Sequence, residues 1–330
     1  MTFGRIFAIF FAGMSLMGAS TAAAQDQDID TGKGARPAAN PEEITPTAEE
    51  PPIDPSRFAN LPDEAYGAFQ RGYYLTALKL ALPRAENGDG AAQTLVAEIY
   101  ANGLGVRQDP DEARKWYEKA AEQGVPDAQL QFALMLIDGN LVEQDRDRAF
   151  LLMRRAAEAG KPLAQFNLAQ MLSNIGDISE AVLWYEKAAN AKLADAQYAM
   201  AQIHAQGVGG KARDMEEARR WLGLAARSNF DTAQVDLGTW MVEGRGGPVD
   251  FEEGFAWLKR AADSGNVAAW NRVAKLYLAG VGVDPDPIEA AAWYMRARQA
   301  GLVDGAMEGF LDGLTDEEIQ AAEERIEALR

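Results

Sequence analysis

Cysteine is absent from this chain of 330 residues, and histidine occurs once, as His204. Without cysteine there are no disulfide bonds, thiolate metal sites, cysteine nucleophiles or cysteine-linked lipid anchors. Most zinc sites use two or more histidine or cysteine ligands, and most hydrolytic triads use a histidine. We therefore expect a protein that is not an enzyme and that holds neither a metal ion nor a cofactor.

Basic residues are scarce relative to acidic ones, with 32 Lys and Arg against 50 Asp and Glu and a net charge of −18. A surface of this sign repels the phosphates of nucleic acids and the head groups of anionic lipids. Hydrophobic residues make up 48% of the chain, which is enough for a folded core. We therefore expect a folded protein that has no nucleic-acid partner.

The one long apolar run lies at the N-terminus, in MTFGRIFAIFFAGMSLMGASTAAAQD. Arg5 supplies a positive charge, residues 6–17 form an apolar core, and residues 22–24 form a small-residue cleavage site, which is typical of a secretory signal peptide over residues 1–24. An uncleaved membrane anchor is the alternative, but the apolar core is shorter than the roughly 20 residues that span a bilayer. We predict cleavage after Ala24 and a periplasmic protein without stable membrane insertion.

Residues 25–57 are rich in proline, acidic residues, alanine and threonine and contain almost no large apolar side chains. Such a segment cannot bury enough surface to offset the entropy lost on ordering. We predict a disordered tether here, followed by a folded part from about residue 58.

The folded part repeats one pattern with a period near 36 residues. Its first element contains a tryptophan, which Leu152 replaces in one copy. The strings are EARKWYEKAAEQG (112–124), RAFLLMRRAAEAG (148–160), EAVLWYEKAANAK (180–192), EARRWLGLAARSN (217–229), EGFAWLKRAADSG (253–265) and EAAAWYMRARQAG (289–301). The second element is an alanine, usually followed by glutamine, at Ala92, Ala128, Ala164, Ala196, Ala233 and Ala269. A fixed period of this size is typical of a solenoid.

Each repeat is predicted to contain two helices. Counting the alanine of the second element as position zero, apolar residues recur at +4, +7 and +8, and position +5 is small in every repeat. The first helix starts at this alanine, as at Ala128. The second helix carries the tryptophan, then two small residues and in most repeats a closing glycine. No strand pattern competes, so the predicted fold class is all-α.

These residues resemble the Sel1-like repeat, a relative of the tetratricopeptide repeat with a longer loop between its helices. The unit at 92–124 matches almost throughout, and the unit at 164–192 departs because its loop, SNIGDIS, is four residues shorter. The resemblance implies an exported bacterial adaptor. It also implies a right-handed α-solenoid of antiparallel helix pairs, with about six repeats and a partial first one over residues 58–313.

The last residues, 314–330, break the phase of the repeat. Thr315 and Glu318 have the spacing of a capping box before a charged amphipathic segment. We predict a capping helix that ends the solenoid.

Four glycine loops, at 103–106, 207–210, 244–247 and 280–283, could suggest phosphate binding. They lack the preceding strand of a dinucleotide site and the Lys-Ser or Lys-Thr of a P-loop. We predict turns between paired helices, in which glycine supplies a positive φ. The repeated tryptophans are likewise expected to pack in the core rather than to form aromatic ligand platforms.

Two further features could suggest chemistry. His204 falls at position +8, where the other repeats carry large and mostly apolar side chains, so we expect it to pack. The acidic stretches at 109–112 and 284–286 are expected to cap second helices, with Pro110 and Pro285 at the helix starts. A paired-acid glycosidase site or a calcium loop is the alternative for these acidic residues.

The candidate binding surface follows from the helix period. At 100° per residue, positions +2, +3 and +6 of the first helix lie opposite its core face. The family resemblance implies that first helices line a concave groove, and large apolar residues among amides suit a peptide segment. The predicted groove residues are Leu130, Gln131, Leu134, Phe166, Asn167, Gln170, Tyr198, Gln202, Asp236 and Arg272. The alternative is that these positions contact the adjacent repeat or the tether.

We predict a scaffold or adaptor that binds a segment of an envelope protein in this groove and regulates an envelope signalling or assembly complex. The alternative function is a cell-wall-associated protein or enzyme that binds peptidoglycan. A hydrolase would need two converging carboxylates. The groove positions offer Glu98 and Asp236, four repeats apart, which argues against an enzyme.

Overall fold

The computed structural model describes residues 63–328, so the predicted signal peptide and tether lie outside the described residues. Within this part every regular element is an α-helix, and no strand occurs there. The helices are α1 (Glu64–Gln70), α2 (Tyr74–Glu86), α3 (Gly90–Asn102), α4 (Pro110–Glu122), α5 (Pro126–Asp138), α6 (Arg146–Glu158), α7 (Pro162–Asn174), α8 (Ile178–Asn190), α9 (Ala194–Gln206), α10 (Met215–Arg227), α11 (Asp231–Glu243), α12 (Phe251–Asp263), α13 (Val267–Ala279), α14 (Pro287–Gln299), α15 (Gly305–Leu311) and α16 (Asp316–Ala328). Among these described helices, none has the length and apolar content needed to cross a membrane.

Consecutive helices from α1 to α14 pack against each other along the chain. Helices α3, α5, α7, α9, α11 and α13 are the first helices of six repeats, each paired with the second helix that follows it, and α1 and α2 form the partial first pair. The predicted all-α solenoid is confirmed. The predicted starts of the first helices are two residues late. Helix α5, for example, begins at Pro126 rather than at Ala128. Proline suits this first position, since its missing N–H would have no partner inside the helix.

Small residues and tryptophans together build the core between helix pairs. The residue at position +5 is buried in every repeat. At Gly238 an added Cβ would lie 2.7 Å from the backbone oxygen of Gly254, so a small residue is required for α11 and α12 to approach. The tryptophans of the second helices are less than one-tenth exposed. Two of their indole N–H groups, in Trp184 and Trp293, donate to the glutamate four residues earlier.

A buried hydrogen bond joins each repeat to the helix before it. The glutamine at position +1 is less than one-tenth exposed. Its Nε2 donates to the backbone oxygen of the alanine eight residues earlier, in the last turn of the preceding second helix. The pairs are Gln93–Ala85, Gln129–Ala121, Gln165–Ala157, Gln197–Ala189 and Gln234–Ala226, with distances from 3.0 to 3.4 Å. In the sixth repeat Trp270 replaces glutamine, and its indole N–H donates to Ala262 at 2.7 Å.

The same carbonyl also accepts the N–H of the residue that ends the turn after the second helix. In the first repeat Gly124, with φ of 87°, donates to Ala121 at 3.0 Å, as the predicted closing glycine requires. Lys192 and Asn229 take the equivalent positions with φ of 68° and 59° and donate in the same way. The same turn therefore forms even where a residue other than glycine must adopt the left-handed backbone conformation.

The glycine loops inside the repeats form turns, as predicted. Gly103 and Gly280 end first helices in the left-handed conformation. The second glycine of the loop lies against the first turn of the preceding second helix, so that an added Cβ at Gly282 would overlap the backbone oxygen of Phe251. The second repeat has Leu141 at this position, and an open cleft of about 790 Å³ lies between its loop and α4.

Aspartates cap the second helices. Asp109 accepts the Glu112 N–H at 3.0 Å, and Pro110 occupies the first turn, as predicted. In the sixth repeat the cap is Asp286 and the proline in the first turn is Pro287, so the prediction for Pro285 is wrong. A residue before proline is held in the extended conformation that an N-cap needs. Asp286 precedes Pro287, so it suits the N-cap position and does not suit the first turn of a helix that starts at Pro285.

The C-terminal capping helix is also present. Thr315 and Glu318 exchange hydrogen bonds at the start of α16, which is the predicted capping box. Helix α16 packs on α14 through Ala322 and Ile326, and Arg325 forms an ion pair with Glu289 of α14. The last second helix is thereby covered on the side where a further repeat would pack.

We predict that Gln93→Met destabilises the protein by about 2 kcal/mol, at about 1 kcal/mol for each hydrogen bond lost. The Gln93 amide donates to Ala85 and accepts from Gln123 at 2.8 Å. Gln165→Met is the matched control, because the Gln165 oxygen is buried without a partner among the described residues and its loss relieves that cost. Urea unfolding should rank Gln93→Met as the more damaging, and an equal or reversed ranking would contradict the prediction.

We predict that Gly282→Ala is more destabilising than Gly265→Ala, by about 1–3 kcal/mol. Both residues have positive φ, at 73° and 93°, so both changes impose the same kind of backbone strain. An added Cβ meets the backbone of α12 at Gly282 and nothing within 4 Å at Gly265. Thermal melting of the two variants measures the difference, and closely similar melting temperatures would disprove the proposed contact.

Candidate functional site

The ten predicted groove residues lie on five successive first helices, from α5 to α13. We call the +2, +3 and +6 positions of the first helices the first-helix surface. Hydrogen bonds join these positions between neighbouring repeats. The Tyr198 hydroxyl donates to Asp236 Oδ2 at 2.9 Å, and Arg272 Nη1 donates to the Thr239 hydroxyl and to the backbone oxygen of Val235. The surface is therefore continuous from α9 through α11 to α13.

These bonds also show that part of the surface serves to connect repeats. Tyr198, Asp236 and Arg272 contact the adjacent repeat, as the alternative interpretation of these positions required. Each of the three side chains still keeps part of its surface exposed. They can therefore hold the repeats in register and contact a partner at the same time.

Burial narrows the set of residues that a partner can touch. Leu130 and Asn167 are only 6% and 8% exposed, and the Asn167 amide donates to the Leu163 backbone oxygen at 2.8 Å. These two residues support the surface and offer little of it to a partner. Leu134 and Phe166 are partly exposed, and the Phe166 ring packs edge-on against Tyr185 with centroids 5.6 Å apart.

Amides accompany the apolar side chains. Gln131, Gln170 and Gln202 are all partly exposed. Gln202 hydrogen bonds to the Tyr198 hydroxyl. The Gln170 side-chain oxygen is buried and has no hydrogen-bond partner among residues 63–328. Because this oxygen has almost no accessible surface, a ligand can reach only the exposed part of the Gln170 side chain.

The carboxylates of the first-helix surface are held in poorly hydrated positions. Burial raises the pKa of Asp236, and the Tyr198 hydroxyl and the charge of Arg272 offset only part of this effect. Burial also raises the pKa of Glu98 on α3, and the nearby Asp127 adds to it. Glu98 and Asp236 lie on α3 and α11, with three first helices between them, so the geometry provides no pair of facing carboxylates.

A polar cluster near α15 was missed from the sequence. Asn271 and Lys275 on α13 both donate to the Asp304 carboxylate, which also caps α15. These contacts lower the pKa of Asp304 to about 2. The two α13 residues occupy positions +2 and +6 of the first-helix surface, as the helix period predicts. Their partner Asp304 lies outside the repeat, so the repeat pattern gives no indication of it.

His204 and the N-cap aspartates lie where the loops between paired helices are closed. His204 is partly buried in the last turn of α9, and its backbone oxygen accepts the N–H of the N-cap Asp214 at 2.8 Å. The equivalent bond from Asp109 to Tyr100 closes the loop of the first repeat. Across the described residues no three His, Asp or Glu side chains are grouped so as to hold a metal ion.

Comparison with known proteins identifies the repeat. The model of the Sel1 repeat matches residues 90–125, 126–161, 162–193, 194–230, 232–266 and 268–302. The chain belongs to the Sel1 repeat family. The six matched segments correspond to the six helix pairs from α3 to α14, including the short-loop unit of α7 and α8.

Solved structures support this membership. A Sel1 repeat protein from Oxalobacter formigenes is 31% identical, with a TM-score of 0.64 over 72% of this chain and 98% of that one. A protective antigen from uropathogenic Escherichia coli strains that displays an SLR fold is 25% identical, with a TM-score of 0.53 over 78% of this chain and 64% of that one. No curated protein matches the chain. Sel1 repeats form scaffolds that mediate protein–protein interaction and are typically non-catalytic.

We predict that Asp236→Asn changes how stability depends on pH. The native pKa of Asp236 lies above its ordinary value of 3.8, so the native state takes up this proton at a higher pH than the unfolded state. Wild type should therefore gain stability relative to Asp236→Asn as pH falls from 7 towards 4. Urea unfolding of both proteins at several pH values measures the difference, and a constant difference would contradict the prediction.

Proposed function

We propose that this Sel1 repeat protein is a periplasmic scaffold that binds a peptide segment of an envelope protein along its first-helix surface. Binding to that segment would regulate a signalling or assembly complex of the envelope. The mechanism is recognition without chemistry. The observation that carries the proposal is the partly exposed apolar and amide surface of α5, α7 and α9.

Phe166 and Leu134 support this proposal because they are large, partly exposed apolar side chains that lie in a row with amides on neighbouring repeats. Apolar side chains supply anchors for a partner, and amides satisfy the polar groups of its backbone. The repeat stack holds these residues on helices rather than on loops, so little entropy is lost when a partner binds.

The proposed periplasmic location is inferred from residues 1–24, whose positive charge, apolar core and small-residue cleavage site are typical of a signal peptide. Export would place the scaffold among envelope proteins. N-terminal sequencing of the protein from a periplasmic fraction should give Gln25 as the first residue. Recovery of the chain in the cytoplasm with its N-terminus intact would rule out this part of the proposal.

Peptidoglycan is the competing ligand, because aromatic rings and amides also bind sugars. The described surface favours a peptide for two reasons. The Tyr198 hydroxyl is already bonded to Asp236, and Leu134 offers a sugar hydroxyl no hydrogen-bond partner. A catalytic form of this alternative would need facing carboxylates, and Glu98 and Asp236 do not face each other.

We predict that Phe166→Ala combined with Tyr198→Ala weakens partner capture from a periplasmic extract at least about tenfold, since truncation of two aromatic anchors commonly costs that much. In-cell crosslinking from the partly exposed Gln131 identifies the partner, and circular dichroism with thermal melting checks that the variant is folded. Sedimentation with peptidoglycan in the same preparation tests the glycan alternative.

Leu151→Ala with Leu183→Ala is the matched control. These leucines are 57% and 56% exposed and lie on the second helices α6 and α8. The control should capture the partner as wild type does. Equal capture by both double variants, or sedimentation with peptidoglycan that depends on Phe166 and Tyr198, would overturn the proposed function.

A further inference from the structure

We propose, on the basis of the function above, that the bound segment is extended and uncharged at its centre. Its apolar side chains lie against Leu134 and Phe166, and its backbone hydrogen bonds to the partly exposed amide side chains of Gln131 and Gln170. The proposal names the chemistry of the occupant, which the repeat family by itself leaves open.

The first argument is the distribution of charge. In this chain 25% of residues are charged, yet the nine residues at +2, +3 and +6 of α5, α7 and α9 include none that is charged at neutral pH. Charges resume on either side of this tract, at Glu98 on α3 and at Asp236 on α11. A charged side chain placed at the centre of the tract, away from Glu98 and Asp236, would lose hydration and find no opposite charge among the nine residues, which is unfavourable. The tract therefore selects an uncharged centre.

The second argument is the presence of two partly exposed amides, Gln131 and Gln170, beside the apolar side chains. Neither amide is hydrogen bonded within the described residues, whereas the amide of Asn167, one turn before Gln170 on α7, is bonded within its own helix. A peptide backbone supplies hydrogen-bonding groups without adding charge. An extended segment presents such groups regularly along its length, and side-chain amides are suitable partners for them.

The third argument is the shape of the apolar part. The Phe166 ring stands edge-on to Tyr185, at 64° between ring planes, and is thereby fixed in orientation. Leu134 of the preceding repeat is also partly exposed. A rigid ring and an aliphatic side chain from neighbouring repeats fit aliphatic or aromatic side chains of a peptide better than the hydroxyl-covered faces of a sugar.

The test selects a random 15-residue peptide display library on the full protein. Peptides recovered by wild type should share a central stretch without charged residues and with at least two large apolar ones. Leu183→Lys, an exposed change on α8, should recover the same peptides. Phe166→Lys should lose them, and Gln131→Lys repeats this test where Phe166→Lys fails to fold.

A double-mutant cycle then tests the hydrogen bond. Each backbone amide in the centre of the best peptide is replaced in turn by an ester, which removes the N–H and weakens the C=O as an acceptor, and binding is measured to wild type and to Gln170→Met. At one position the ester should weaken binding to wild type about fivefold more than binding to Gln170→Met, which is the effect of one neutral hydrogen bond. Coupling at no position would overturn the proposed bond.

The outcomes separate this inference from the proposed function. Recovered peptides with charged centres that still depend on Phe166 would overturn the inference and leave peptide binding intact. Failure of wild type to enrich any peptide over Phe166→Lys would overturn both. Enrichment of peptides that compete with peptidoglycan fragments at Phe166 would assign the tract to the glycan.

Discussion

The hydrogen bond from a buried glutamine to the last turn of the preceding helix is the constraint on which the other features depend. Each such carbonyl accepts two donors, one from the turn residue and one from the glutamine at position +1. Together they fix where the next first helix starts and how it meets the helix before it. Trp270 shows that the requirement is for an N–H at this point rather than for glutamine as such, because its indole makes the same contact.

The rows of the first-helix surface follow from that constraint. Since each repeat joins the one before it in the same way, equivalent positions fall beside each other on successive first helices. The contacts of Tyr198 with Asp236 and of Arg272 with Thr239 are possible for this reason. A partner would therefore contact a surface on which the residue types differ from repeat to repeat. The spacing between the repeats stays the same, because the buried glutamines at position +1 fix it.

Much of the fold could be predicted from the sequence, because features that indicate little in one repeat recur at the same positions in the others. Small residues at +5, closing glycines and N-cap aspartates appear in phase, and the structure places them as expected. The role of the glutamine at +1 could not be derived, because helix periodicity carries no information about a bond to the preceding helix. The error at Pro285 has a local cause, since two Asp-Pro steps stand close together and one of them alone starts α14. For the candidate site, helix geometry predicted that these positions lie on one side of the first helices, and hydrogen bonds join some of them between repeats. The burial of Leu130 and Asn167 could not be predicted, because it depends on neighbouring repeats, whose rotation no single helix specifies.

Leu141 has a consequence for how this chain can change in length. In the other long loops a glycine wedged against the preceding second helix ties the loop to the stack, so that added residues would have to break that contact. The loop of the second repeat carries Leu141 instead of that glycine and borders an open cleft. Residues added there can extend into open space, so this loop suits the insertion of a foreign sequence or an epitope.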